Sequence, residues 1–377
     1  MYFDHSATTK TDERVLHTFI EASSTYYANP ASLHEAGNQA EKLLERARTQ
    51  LLDTIGLGLT EGIFTSGGTE ANNLAIIGFA FANQHKGRHL ITTAVEHPSV
   101  LHTFHYLEEQ DFIVDYLKVD EEGRISLAEL ESCLRKDTIL VSVMHVNNEI
   151  GTIQPIEECA RVIHSKSRAV FHSDCVQSFG KLLPADFQDG PDLITLSAHK
   201  IHGIKGSGFL AYRKNLRIQP ISFGGGQESS LRNGTVSVPH AAALAKAARL
   251  QVEEVDLQQF ASWKNQLLNF FAEFDDCFVL APHASAPYIL SVAFRNVTGE
   301  VVVNFLQEQG FIVSTSSACS SKKTETSHVI QAIRLPKDFE KGVIRISFGK
   351  NQTTDEMNQL MEAIRQLMQL LKRGVRK

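Results

Sequence analysis

Gly62-Ile63-Phe64-Thr65-Ser66-Gly67-Gly68-Thr69-Glu70 is a short apolar run that breaks at a glycine- and hydroxyl-rich turn and opens a helical pattern over 70–82. A second apolar run occupies 90–95, and the alternation continues through 139–146, 169–173, 193–196 and 208–212. Strand-length runs separated by helical stretches predict βαβ units in a mostly parallel sheet, whose carboxyl tips carry the function. Upstream, the spacing predicts a helix over 40–52 that stops before Gly56 and Gly58.

The last third differs. Residues 241–274 are rich in Ala, Leu, Gln and Glu and read as one or two long helices. After Pro282 and Pro287, strands at 289–294, 311–314 and 343–348 flank a helix at 300–309. In 343–348 the alternation sets Ile344, Ile346 and Phe348 on one face and Arg345 on the other. The closing helix is marked by a capping box, Thr353 and Glu356, ahead of a Met/Leu stripe best read as core. The expected division is 12–250, a large domain, and 251–377 together with 1–11, a smaller one.

Composition narrows the class. The chain has 377 residues, a net charge of -6 and 42% hydrophobic residues, ordinary for a soluble globular protein. Its mild acidity offers no footprint for direct nucleic-acid binding. No apolar stretch reaches the roughly 20 residues needed to cross a membrane. Asp4 and His5 fall where a signal peptide would begin its apolar region. Five cysteines in so long a chain are no disulfide framework; they suggest free thiols and a cytoplasmic setting.

Three clusters carry chemistry. Thr65-Ser66-Gly67-Gly68-Thr69-Glu70 offers backbone N–H groups at a helix start, which suit a phosphate. Gly203-Ile204-Lys205-Gly206-Ser207-Gly208 lacks the following helix that a dinucleotide loop requires. His172-Ser173-Asp174-Cys175-Val176-Gln177 and Ser197-Ala198-His199-Lys200 lie at two strand tips. A lysine that forms a Schiff base and an aspartate that keeps a pyridine nitrogen protonated suit pyridoxal phosphate. Zinc is disfavoured, because His172, Asp174, Cys175, His199 and His202 lack tetrahedral spacing, and no metal is expected.

With these segments the chain resembles the cysteine desulfurases, class V members of the fold-type I pyridoxal-phosphate enzymes. The likeness runs from Tyr2-Phe3-Asp4-His5-Ser6-Ala7-Thr8-Thr9 to the closing helix. It includes Ala28-Asn29-Pro30-Ala31-Ser32, Val95-Glu96-His97, Met144-His145-Val146-Asn147-Asn148-Glu149-Ile150-Gly151 and Ser316-Ser317-Ala318-Cys319. It implies an α/β fold with a mostly parallel seven-stranded sheet and a smaller α+β C-terminal domain.

By position in those segments, the resemblance makes Lys200 the cofactor-linked lysine, with Asp174 at the ring nitrogen and Gln177 at the phenolic oxygen. His97 would stack on the ring and move protons. Gly68, Thr69, Ser197 and His199 would hold the phosphate, joined by Thr235 of the partner subunit, which implies a homodimer. Arg345 would bind the substrate carboxylate, with Asn29 and Asn148 assisting; Asn148 would also lie against the cofactor.

Cys319 stands in a polar stretch where Lys322 and Lys323 favour a thiolate. The resemblance makes it the nucleophile that takes sulfur from L-cysteine, releases L-alanine and passes a persulfide to acceptor proteins. Those acceptors would serve iron-sulfur cluster assembly or tRNA thiolation. The Cys319–Val329 spacing resembles a long-loop subgroup. Cys133, Cys159 and Cys277 read as packing residues, and strand alternation turns Cys175 away from Asp174. A selenocysteine lyase or a class V aminotransferase is the rival reading, and a non-enzymatic scaffold a further one.

Overall fold

The computed structural model describes residues 1–182, 189–315 and 326–374. Seven strands form the larger sheet: β1 (Glu61–Thr65), β2 (His89–Thr93), β3 (Ile113–Leu117), β4 (Thr138–Ser142), β5 (Val170–Asp174), β6 (Leu193–Ser197) and β7 (Gly208–Tyr212). Their order is β1-β7-β6-β5-β4-β2-β3. From β6 to β3 the pairing is parallel, while β7 runs antiparallel to both β1 and β6.

Helices cover both faces, which is why these strands read as near-continuous apolar runs. Phe64, Ile194, Leu196 and Phe209 pack on one side with the helices Glu35–Ile55 and Val238–Glu254. Ile63, Leu193 and Leu210, their neighbours in sequence, pack on the other with Leu74, Phe79 and Phe104. The helix expected at 70–82 begins at Gly68 and carries one wider turn, Leu74–Gly78. The one expected at 40–52 extends over Glu35–Ile55. Edge strand β3, only partly buried, escaped the sequence reading because Asp115 and Tyr116 interrupt its apolar run.

A second sheet contains β8 (Cys277–Leu280), β9 (Ile289–Phe294), β10 (Ser314–Thr315) and β11 (Val343–Ser347), in the antiparallel order β10-β11-β9-β8. Its core joins Phe294, Ile344 and Ile346 to Phe260, Trp263, Leu360 and Ile364. The 241–274 stretch is two helices, Val238–Glu254 and Leu257–Phe271, the second capped by Asp256. Thr353 and Glu356 form the expected reciprocal cap, with N–O distances of 3.2 and 2.9 Å.

The first residues of the chain join this sheet. Phe3 is fully buried in its core, donates to Ile312 O at 2.7 Å and accepts from Ser347 N at 2.8 Å. β11 is buried along its whole length. The face on which the alternation sets Arg345 is therefore covered as well, and Arg345 is only 3% exposed.

One ion pair holds the segment before Thr235. Glu228, its side chain 1% exposed, receives both Nη atoms of Arg48 at 2.7 and 2.9 Å and the Phe64 N–H at 2.7 Å. Glu228, Ser229 and Ser230 all have positive φ, so the turn is strained and depends on that anchor. Glu228→Ala takes the buried carboxylate from the Arg48 guanidinium, which keeps only the more exposed Glu45 and the Gly62 carbonyl, and is expected to cost about 3 kcal/mol, read as a lower urea midpoint.

Candidate active site

The carboxyl tips of β1, β5 and β6 meet the N-terminal segment. After β1, Thr65 Oγ1 donates to Gly67 O at 3.0 Å and a helix starts at Gly68. A Cβ on Gly208, at the start of β7, would stand 2.6 Å from Gly67 Cα. The two turns touch backbone to backbone, and only glycine permits that approach. Gly68, Thr69, Ser197 and His199 line one concavity of about 460 Å3, together with Ala7, Thr8 and Lys205. Lys205 is a cation the sequence reading passed over, because its glycine-rich stretch does not open a helix.

Lys200 ends a single turn, Ala198–Lys200, directly after β6. Its Nζ donates to the carbonyls of Ser6 and Ala7. Gln177 donates to the same Ser6 carbonyl at 2.9 Å, and its Oε1 is buried without a partner among the described residues. His199 contacts Thr8 Oγ1 at 3.3 Å. Burial first, then the charges of Lys200 and Lys205, push His199 down to about 4, so its imidazole is neutral.

Asp174 ends β5 and is 6% exposed. Its Oδ1 accepts from Val176 N at 2.9 Å and its Oδ2 from Asn72 Nδ2 at 2.8 Å, and it makes no ion pair among the described residues. Asn72 also donates to Ser99 Oγ at 2.9 Å, and Ser99 Oγ lies 2.8 Å from His97 Nδ1. His97 caps the helix Pro98–Glu108. Burial lowers its pKa most; Asp174 opposes that, while Lys200, His328 and His102 add to it. Asn72 went unnoticed in the sequence because a polar residue on a helix carries no signal of its partners. Glu96, pushed up to about 8 by complete burial, braces the same turn by accepting from Thr93 Oγ1 and Met144 N.

Arg345 lies at the junction of the two sheets. Nη2 pairs with Asp4 Oδ1 at 2.8 Å, Nη1 donates to Asn148 O at 2.7 Å, and Nε is buried without a partner among the described residues. Asp4 also accepts from Ser314 Oγ at 2.7 Å. Beside it Glu149, raised to about 7 mainly by burial, accepts from Ser327 Oγ at 2.6 Å. Asn29 and Thr235 are exposed and make no hydrogen bond to the other predicted site residues among those described.

Cys319 lies outside the described residues. Cys175 is buried, its Sγ 3.6 Å from Ser173 Oγ, and burial pushes its thiol up to about 12, as it does for Cys159 and Cys277. Such thiols are poor nucleophiles. Among the described residues no three His, Cys, Asp or Glu side chains come together to hold a metal ion, and no helix is long and apolar enough to cross a membrane.

The residues present suit pyridoxal phosphate. A buried carboxylate held by two neutral N–H donors matches a protonated ring nitrogen. The unpartnered Gln177 Oε1 marks a polar opening, and the glycine turn with Ser197 and Lys205 matches a phosphate.

Comparison with known proteins agrees. The family model described as aminotransferase class-V matches residues 1–360. A putative cysteine desulfurase IscS 1 of Bacillus subtilis is 41% identical over 363 residues, covering 95% of either chain. A solved NifS-like protein superposes with a TM-score of 0.90 at 35% identity, over 98% of this chain and 99% of the other. The structure described as SspA in complex with cysteine gives a TM-score of 0.81 at 34% identity, over 93% and 99%. The two sheets and their connections are thus those of a fold-type I pyridoxal-phosphate enzyme, and the chain belongs to the class V aminotransferase family, in its cysteine desulfurase branch.

Proposed function

We propose that this cysteine desulfurase works on L-cysteine with pyridoxal 5'-phosphate held at the tips of β1, β5 and β6. The observation that carries the reading is the buried Asp174 carboxylate, without an ion pair among the described residues, at the tip of β5 next to the strand whose tip leads to Lys200. When bound, the cofactor supplies an aldehyde that links to amines and a ring that withdraws electrons from the attached amino acid.

The chain's own groups do the rest. Gly68, Thr69, Ser197, His199 and Lys205 bind the phosphate, and Asp174 holds the ring nitrogen protonated. Gln177 and Asn148 would border the ring, and Lys200 would supply the amine that holds the cofactor. Arg345 orients the substrate carboxylate, exchanging its present carboxylate partner, Asp4, for that of the substrate. Asn29 assists it. His97 moves a proton at Nε2, the ring nitrogen without a partner among the described residues.

Cys319 then attacks the substrate sulfur as a thiolate. A bond forms between Cys319 Sγ and that sulfur as its bond to the substrate Cβ breaks; the electron pair of the broken bond stays with the carbon skeleton, which takes up a proton and leaves as L-alanine. The persulfide passes to an acceptor protein of iron-sulfur cluster assembly or tRNA thiolation in the cytoplasm. We place the cofactor in residues 12–250 and the cysteine segment in 251–377 with 1–11. We further propose a homodimer in which Thr235 reaches the other subunit's phosphate. The exposure of Thr235, and of Tyr27, Leu33 and Phe223 at 79, 98 and 88%, supports that arrangement.

Incubation with L-cysteine and a reductant is expected to release sulfide and alanine in equal amounts. Conversion to a keto acid without sulfide would overturn the reading in favour of transamination.

A further inference from the structure

His97 is a neutral donor in this structure, and the reason lies in three other residues. The backbone N–H of Ser99 donates to His97 Nδ1 at 3.1 Å. A backbone nitrogen cannot accept, so Nδ1 carries a lone pair and the ring proton sits on Nε2. Ser99 Oγ, 2.8 Å from the same Nδ1, must then also donate to it. What orients that hydroxyl is Asn72, which occupies an oxygen lone pair with one amide hydrogen at 2.9 Å. The other amide hydrogen of Asn72 goes to Asp174 Oδ2 at 2.8 Å.

The cost of this arrangement is visible. Asn72 is 1% exposed, and its Oδ1 is buried with no partner among the described residues. An orphaned buried carbonyl destabilises the fold, so a residue that keeps one has another role. The amide cannot be turned to relieve it, because its oxygen would then face the Asp174 carboxylate.

We propose that Asn72 is a positioning residue whose two amide hydrogens tie Asp174 to Ser99 and so turn the Ser99 hydroxyl into a second donor to Nδ1, which with the Ser99 backbone N–H holds His97 as a neutral imidazole with its proton on Nε2. One side chain thus sets both the carboxylate meant for the ring nitrogen and the protonation of the imidazole meant for the reacting face. The inference rests on the cofactor site described above, but it concerns groups that exist without the cofactor. Asp174, Lys200, His328 and His102 are the charged or titratable groups acting on His97, and none of them lies in this chain of donors except Asp174.

The test is nitrogen-15 NMR of the histidine rings in the full-length protein, with and without added pyridoxal phosphate, His97 being assigned from His97→Gln. The wild type is expected to show His97 protonated at Nε2. In Asn72→Leu, which keeps the volume and removes both donors, the Ser99 backbone N–H is the donor to Nδ1 that remains, and a minor Nδ1-protonated population, absent from the wild type, should become detectable. The His97 titration midpoint should rise by about one pH unit, and pyridoxal phosphate should bind about tenfold more weakly.

Ser99→Ala should reproduce the histidine change with little loss of cofactor binding, and it decides the matter if Asn72→Leu does not fold. A wild-type His97 protonated at Nδ1, or variants with unchanged tautomer and titration, would overturn the proposal. A protein that never binds pyridoxal phosphate would instead refute the site reading and leave the tautomer result standing.

Discussion

Lys200→Ala is expected to yield a folded protein that has lost the visible absorbance of lysine-linked pyridoxal phosphate and at least about a thousandfold of its sulfide production. The chemistry requires an amine at this position, and no described neighbour replaces it. The buried amine of Lys181, 9% exposed, sits over the Tyr288 ring at 4.6 Å. The variant also releases the carbonyls of Ser6 and Ala7, which Lys200 now satisfies. Ser6 O keeps its bond from Gln177, and Ser6 N keeps Ser347 Oγ at 2.8 Å, so the N-terminal segment should remain in place. An unchanged spectrum would mean that the cofactor is held elsewhere.

Cys319→Ser is expected to do the reverse: full cofactor absorbance, with protein persulfide undetectable by mass spectrometry and sulfide release down by about three orders of magnitude. A serine hydroxyl at neutral pH is far less nucleophilic than a thiolate and does not accept sulfur. The described cysteines offer no substitute: burial pushes Cys159, Cys175 and Cys277 up to about 12, and it raises Cys133 as well. The described residues that flank the Cys319 segment lead to Arg345, the proposed substrate arginine. Ser314 bonds to Asp4, the partner of Arg345, and Ser327 bonds to Glu149 in the segment that also supplies the Asn148 carbonyl. Full persulfide formation in this variant would remove Cys319 from the mechanism.

Much of this was legible in the sequence, for identifiable reasons. Apart from the edge strand β3, the strands of the larger sheet are buried and stand out as apolar runs, and the turn after β1 is marked by glycines whose absent side chains permit a close approach. The strand-tip residues Asp174, Ser197 and Lys200 follow from the fold class, because an α/β sheet concentrates function there. What stayed hidden depends on pairing across long separations. Nothing in Asn72 announces Asp174, 102 residues away. Nothing in Asp4 announces Arg345, 341 residues away. In β11 the alternation sets Arg345 on a face of its own, and nothing in that pattern announces that the face is buried against a carboxylate. Cys319 was read from the resemblance of its segment, and the effect of its lysine neighbours from local composition.

The antiparallel strand β7 also has a consequence in time. β1 is an edge strand whose sheet neighbour is β7, and about 140 residues separate their nearest ends. A ribosome that has released β1 has therefore not yet made its pairing partner, and β2 to β6 emerge first. Phe3 waits longer still, for Ile312 and Ser347. Cofactor capture should accordingly be among the last events of synthesis. A chain truncated before β11 should fold its parallel strands yet leave its first residues undocked, exposed to exopeptidases and quality control.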